Sequence, residues 1–398
     1  MERRELARLL GYEPTEQRGA VVVAERDRVA FRAAFGAAVA GRGPVFLANP
    51  DWGQAEWSEF DVLRQSMPSD FDAEQGWLMI PTGGSSGGVK LARHDQNTLG
   101  TAVDGFAEWV GDGAVTSTLG VLPLHHVGGL MAWLRSVLMA GDYRDVAWAE
   151  IKAGVYLEVD EGAVISLVPT QLAQLLESTA GVDWLRGFSM VFVGGGPAWK
   201  ALQETSRARG IRLAPCYGMT ETAAMVTALR PEAFLAGTGG VGPALPHAQI
   251  EIIEENRLVI HSASLFRGYW PNGRVDASWV SGDWGACDCD GNWTIGGRHD
   301  ALILTGGEKV DPAEVETVLR AFMGRHNVAV IGVPDARWGE VVVACHDGEP
   351  LDHDEMDASV SARLARYKRP KAYVAVNPWP TNAMGKLDRS ELRKWAGG

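Results

Sequence analysis

The sequence predicts an α/β protein: a large N-terminal domain of parallel α/β layers with a β-rich subdomain, followed by a small α+β C-terminal domain. Three observations carry this expectation. Between Trp77 and Arg209, short apolar β-prone runs alternate with helical patterns, as expected of strands in a parallel sheet covered by helices on both faces. After about residue 236 the helical patterns give way to closely spaced strands. Past Arg298 short strands and helices alternate again.

In chain order, Met1 to Leu6 is charged and reads as the start of a helix, and Asp27 to Val39 is amphipathic and helical. Val45 to Ala48 is a short apolar stretch. Trp77 to Ile80, Val115 to Leu122, Ala163 to Val168 and Met190 to Val193 read as strands. The helices between them are Asn97 to Trp109, Leu130 to Met139, Pro169 to Glu177 and Ala198 to Arg209. Gln249 to Ile253 and Arg257 to His261 form two strands joined by a Glu-Glu-Asn turn, and Trp293 to Ile295 is another. The C-terminal region should contain strands at Ala301 to Leu304, Val328 to Val333 and Val341 to Cys345, with helices at Pro312 to Phe322 and Asp357 to Leu364. A boundary near Asp300 divides the chain into 1–299 and 300–398.

The chain has 398 residues, 46% of them hydrophobic, ample for more than one buried core. Its net charge is -13 with no basic block, which argues against a nucleic-acid surface, since phosphate backbones are met by clustered Lys and Arg. Local anion sites remain compatible with an acidic chain. The four cysteines include a lone Cys287-x-Cys289 pair, a poor zinc signal, so reduced structural thiols are expected. No signal peptide and no apolar run long enough for a membrane span are visible. The chain reads as cytoplasmic, with a homo-oligomer left open. The 15 tryptophans are scattered and should mostly line core or pocket.

The most informative stretch is Thr82-Gly-Gly-Ser85-Ser86-Gly-Gly-Val89-Lys90. It has little side-chain bulk, so its amides can turn toward an anion while hydroxyls and a lysine add donors. That is the chemistry of a polyphosphate cradle, although a Gly/Ser surface turn has the same composition. It is not a Walker A loop, because Leu91 follows Lys90. Gly194-Gly195-Gly196-Pro197 follows a strand and marks either a ligand site at the strand's carboxyl end or a tight βα turn. Tyr217-Gly218-Met219-Thr220-Glu221 offers an aromatic face, a hydroxyl and a carboxylate. Glu221 suits Mg²⁺, or it is a helix N-terminal acid, and Tyr217 alone could be a core aromatic. Asp283 in Ser281-Gly282-Asp283 fits a ribose acceptor or a turn aspartate. Arg298, Asp300, the Thr305–Lys309 turn with Gly306 and Gly307, and Gly385-Lys386 complete the series. Lys386 alone would be an ordinary solvated charge.

Taken in order, these motifs resemble the acyl-adenylate-forming (ANL) superfamily: acyl- and aryl-CoA ligases, firefly luciferases and peptide-synthetase adenylation domains. The resemblance spans residues 82 to 386. The strings Leu122–Gly129, Ser166–Leu172 and Ser264–Trp270 are most similar to the o-succinylbenzoate–CoA ligase branch of menaquinone and phylloquinone biosynthesis. Val89 departs from the pattern, standing where the family usually has proline, and the segment before the cradle is shorter than usual. The resemblance implies an AMP-forming acid–thiol ligase using ATP, Mg²⁺ and CoA on an aromatic carboxylic acid. Another aryl- or acyl-CoA ligase, or an adenylation enzyme loading a carrier protein, is the alternative.

The same resemblance implies the following roles. Thr82, Ser85, Ser86 and Lys90 hold the outer phosphates. Gly195, Gly196 and Tyr217 shape the adenine pocket, Thr220 contacts the α-phosphate, Glu221 holds Mg²⁺, and Asp283 and Arg298 grip the ribose. Lys386 enters for adenylation. Asp300 is the hinge of a mobile small domain, whose Gly306-Gly307 turn faces CoA after rotation. Gly194 and Gly218 border the acyl substrate. Arg135 is either a partner for the substrate's second carboxylate or a surface helix arginine, and His126 is either a substrate contact or a packing residue.

Overall fold

The computed structural model describes residues 1–66, 76–82, 88–111, 113–196, 198–271, 273–381 and 387–397, with backbone only at 300, 390 and 397. Ser85, Ser86, Pro197, Gly385 and Lys386, and the side chain of Asp300, lie outside the described residues.

The first layer contains α1 (Arg3–Leu9), β1 (Val21–Val23), α2 (Arg28–Ala40), β2 (Val45–Leu47), α3 (Gln54–Gln65), β3 (Leu78–Thr82) and β4 (Lys90–His94). The Asp27 side chain caps α2 by accepting from the Ala30 amide. The strands pair in the order β1-β2-β3-β4, parallel except for β4.

The second layer runs α4 (Gln96–Val110), β5 (Ser117–Gly120), α5 (Val127–Leu138), β6 (Asp142–Asp145), α6 (Trp148–Lys152), β7 (Ala163–Leu167), α7 (Pro169–Leu176), α8 (Thr179–Gly187), β8 (Met190–Val193), α9 (Lys200–Ala208), β9 (Leu213–Met219), β10 (Ala224–Ala228) and α10 (Pro231–Leu235). Its strand order is β10-β9-β8-β7-β5-β6, parallel apart from the β10 edge. Alternation along the strands fills both faces. Val164, Phe192 and Ala214 pack with Phe106 and Trp109 of α4. Their neighbours Ile165, Val191 and Leu213 pack with Leu172, Leu185 and Leu202 of α7, α8 and α9. The expected α/β class is observed.

The β-rich part is an antiparallel sheet, β11 (Ala248–Ile252), β12 (Arg257–Ser262), β13 (Ser278–Cys287) and β14 (Trp293–Arg298). Here the structure corrects the sequence reading. Asp283 lies inside the 10-residue strand β13, not in a turn. Gly282 and Gly285 weaken β13's local propensity, and its pairing with β12 and β14 supplies the order.

The C-terminal part has β15 (Ile303–Thr305), β16 (Glu308–Val310), α11 (Pro312–Met323), β17 (Val328–Asp335), β18 (Gly339–His346), α12 (His353–Val360), β19 (Ala372–Ala375) and α13 (Arg389–Gly397). Helix α12 starts four residues earlier than expected, where Asp352 caps it by accepting from the Glu355 amide. Gly306 and Gly307 form a two-residue hairpin turn with φ of +59° and +87°, the positive values such turns require. The apolar clusters built on β15–β19 draw only on residues after 302. Among the described residues, no helix is long and apolar enough to cross a membrane.

Candidate active site

Strands β3 and β4 form an antiparallel hairpin whose last pair is Thr82 opposite Lys90. Two of the four residues expected to hold the outer phosphates, Thr82 and Lys90, therefore stand side by side. The Lys90 Nζ lies 5.9 Å from the centre of the Tyr269 ring. The Tyr269 hydroxyl in turn donates to Glu221 Oε1 at 2.5 Å. Burial, reinforced by the Glu221 charge, pushes the Tyr269 phenol well up, so it stays a donor. Cation, ring and carboxylate thus form one line. Tyr269 was missed in the functional reading of the sequence, because nothing local links it to a carboxylate 48 residues away.

The turn that carries Thr220 and Glu221 is held from behind. His94, at the end of β4, is fully buried. Its Nε2 lies 2.8 Å from the Thr220 carbonyl and its Nδ1 lies 2.9 Å from Thr98 Oγ1. A carbonyl can only accept, so Nε2 carries the proton and Nδ1 is the acceptor. Asp95 caps α4 and pairs with Arg267 at 2.7 Å, tying the same strand to the segment that bears Tyr269. Beyond Glu221 the chain enters left-handed backbone at Ala223 and Ala224, with φ of +51° and +85°. Such conformations are costly without glycine. The Thr222 hydroxyl, bonded to Met219 and Ala224, helps to hold them. Gly218 is needed here, since a Cβ would come within 2.0 Å of the Ala224 carbonyl.

Asp283 and Arg298 are directly opposed on β13 and β14. The Tyr217 hydroxyl donates to Asp283 Oδ2 at 2.7 Å. The phenol expected only to stack therefore also orients the expected ribose acceptor. The bare backbone of Gly282 accommodates the guanidinium, because a Cβ there would lie 2.8 Å from Arg298 Nη2. Gly194 follows β8 and faces Cys216, whose Sγ would be 2.8 Å from a Cβ at that position. Gly195 has φ of +75°. Tyr217, Thr220, Glu221, Lys90, Asp283 and Arg298 are thus brought to one side of the large domain. Gly306 packs beside the exposed Trp338, within the C-terminal part.

Arg135 is 7% exposed, so the surface-arginine alternative is excluded. Its Nε donates to the Met131 carbonyl at 3.0 Å, its Nη1 lies 3.6 Å from Met225 Sδ, and its guanidinium sits 4.3 Å from the Phe106 ring centre. It has no acidic partner among the described residues, and burial lowers its pKa to about 10. It lines a cavity of about 10 Å³ together with Phe192, Ser117, Thr118 and Ser166. Met225 pairs with Gly218, so this buried cation adjoins the Tyr217–Glu221 turn. His126 occupies the N-cap position of α5 without a side-chain cap bond, its ring 4.3 Å from that of His125.

Burial also holds three histidines neutral: His94, His125 and His247 are each lowered to about 4. Their native pKa values lie below the ordinary 6.5, so between those limits the unfolded chain binds more protons than the native one. Stability should be complete above about pH 6.5 and fall as the pH drops toward 4. The slope should reach about 1.4 kcal/mol per pH unit for His94 alone. Denaturant midpoints between about pH 7 and pH 5 check this; a midpoint that does not move would contradict it.

The AMP-binding enzyme profile matches residues 11–270, and the AMP-binding enzyme C-terminal domain profile matches 314–386. The chain belongs to the AMP-binding enzyme family. This AMP-binding enzyme is 31% identical over 349 residues to the 2-succinylbenzoate–CoA ligase of Listeria monocytogenes, covering 85% of this chain and 74% of the relative. It is 29% identical to the Oceanobacillus iheyensis protein of the same name, covering 87% and 76%. Its fold matches the o-succinylbenzoate CoA synthetase MenE of Bacillus subtilis in complex with the acyl-adenylate OSB-AMP, with a TM-score of 0.77, 22% identity and coverage of 98% and 91%. ATP-bound MatB of Rhodopseudomonas palustris matches with a TM-score of 0.79, 22% identity and coverage of 98% and 92%. The two folds fit about equally well, so the fold alone does not choose a substrate for this AMP-binding enzyme.

Proposed function

We propose that the protein is an ATP-dependent, AMP-forming CoA ligase that converts 2-succinylbenzoate to 2-succinylbenzoyl-CoA in menaquinone or phylloquinone biosynthesis. The observation that carries the substrate is Arg135. A guanidinium buried against Phe106 without an acidic partner among the described residues is expensive, and an aromatic acid with a second carboxylate satisfies both the ring and the charge. The relatives named 2-succinylbenzoate–CoA ligase support the same substrate.

The substrate's reacting carboxylate attacks the α-phosphorus of ATP, pyrophosphate leaves, and a mixed anhydride forms. The thiol of CoA then displaces AMP. The residues act mainly by positioning and by offsetting negative charge. Thr82 and Lys90, with Ser85 and Ser86, hold the outer phosphates. Thr220 meets the α-phosphate. Gly195, Gly196 and Tyr217 wall the adenine, with Asp283 and Arg298 on the ribose. Glu221 is a fitting Mg²⁺ ligand: it is one buried carboxylate held by Tyr269. It would supply a single carboxylate oxygen donor, the ligand type that Mg²⁺ takes alongside substrate phosphates. When bound, Mg²⁺ supplies charge neutralisation at the phosphates. Lys386 serves adenylation from the small domain. That domain is taken as 300–398, hinged at Asp300, against a large domain of 1–299. Use of cytoplasmic ATP and CoA accords with four free cysteines.

A panel of acids tests this reading. Thioester and AMP should form with 2-succinylbenzoate and CoA, and much more slowly with benzoate. Turnover of benzoate without turnover of 2-succinylbenzoate would point to a different aryl-CoA ligase.

A further inference from the structure

Val89 stands at the outgoing stem of the phosphate hairpin, between Gly88 and Lys90. Its backbone N–H donates to Glu59 Oε2 at 2.8 Å. Gly88 is left-handed, with φ of +87°, and a Cβ there would lie 3.4 Å from the same oxygen. Glu59 sits on α3, which is fixed to the large domain. Its neighbour Phe60 is fully buried against Phe46, and the Trp270 indole donates to the Leu63 carbonyl at 2.7 Å. Val89 packs on the same apolar cluster.

We propose that Glu59 is a positioning residue for the phosphate hairpin, latching its outgoing stem through the Val89 amide. The proposal rests on the reading of this hairpin as the polyphosphate cradle. Lys90 is fixed by its pairing with Thr82, and the bond at 89, beside the packing of the Val89 side chain, ties the stem to a rigid helix. A stem held in place before ATP arrives loses less conformational freedom on binding. A proline in place of Val89 would restrict the stem covalently through φ but could not donate. Valine here keeps the donor, and Glu59 supplies the constraint from outside.

The latch and simple electrostatics predict opposite signs. A carboxylate near the cradle repels phosphate, so on charge alone Glu59→Ala should lower KM for ATP. The latch predicts that Glu59→Ala raises KM for ATP about fivefold, as expected for one lost charge-assisted hydrogen bond at an exposed site. In this case kcat of acid-dependent ATP–pyrophosphate exchange should change little. Glu59→Gln keeps an acceptor and should stay within twofold of wild type. In a Val89→Pro background, where the donor is gone, Glu59→Ala should have no further effect. Lys90→Ala is the control for the cradle itself. If Lys90→Ala raises KM for ATP and Glu59→Ala lowers it or leaves it unchanged, the latch is overturned and the cradle stands. If Lys90→Ala leaves KM unmoved, both are overturned. Equal effects of Glu59→Ala in the wild-type and Val89→Pro backgrounds would also overturn the latch. Should the Val89→Pro protein fail to fold, the contrast between Glu59→Ala and Glu59→Gln decides.

Discussion

Arg135→Met should raise KM for 2-succinylbenzoate by roughly 100-fold, the loss expected for a charge-assisted bidentate contact in a dry site, while leaving the free protein at least as stable. The two halves have one cause. Arg135 is a buried charge whose contacts are the Met131 carbonyl, Met225 Sδ and the faces of Phe106 and Phe192. Methionine fills similar space without the desolvation cost. Its gain should offset the lost hydrogen bond and cation–π contact, each on the order of 1 kcal/mol. Benzoate, which lacks a second carboxylate, should be affected much less. Thermal unfolding of the free variant, together with KM for the two acids, checks the prediction. A strongly destabilised variant with unchanged discrimination between the acids would assign Arg135 to packing.

Glu221→Gln should lower kcat for adenylation by about 100- to 1,000-fold, the range seen when one preorganised electrostatic group is removed. The amide retains an oxygen that can accept from Tyr269, so folding should survive while the charge for Mg²⁺ is lost. The variant should also need more Mg²⁺ to reach its residual rate. Tyr269→Phe should fall between wild type and Glu221→Gln, since it removes the tether and keeps the charge. Titration of rate against Mg²⁺ separates the cases. A wild-type Mg²⁺ dependence in Glu221→Gln would rule out the metal role.

Parts of this account were legible in the sequence for identifiable reasons. Met190–Val193 is wholly apolar and buried, so its strand and the glycine turn after it could be placed from composition. The amphipathic pattern of Asp27 to Val39 announced α2, and the structure adds Asp27 as its cap. Strand β13 was not legible, because Ser281, Gly282, Asp283 and Gly285 look like a turn and only pairing with β12 and β14 makes them extended. The order of motifs gave the family, but their mutual contacts depend on tertiary structure. Tyr217 to Asp283 is 66 residues and Tyr269 to Glu221 is 48. The burial of Arg135 did leave a trace. It interrupts Leu130-Met-Ala-Trp-Leu134 and Val137-Leu138, an apolar setting unusual for a surface arginine. Val89, a departure with no explanation in the sequence, gains one from the Glu59 contact.

The central claim is that this enzyme activates one carboxylate while Arg135 reads another. A crystal structure with the acyl-adenylate formed from ATP and 2-succinylbenzoate tests it most directly. The account predicts the free carboxylate within hydrogen-bond distance of the Arg135 guanidinium and the ring between Phe106 and the Gly194–Gly218 backbone. A free carboxylate directed away from Arg135, with the guanidinium still packed on Phe106 as in the free protein, would contradict it.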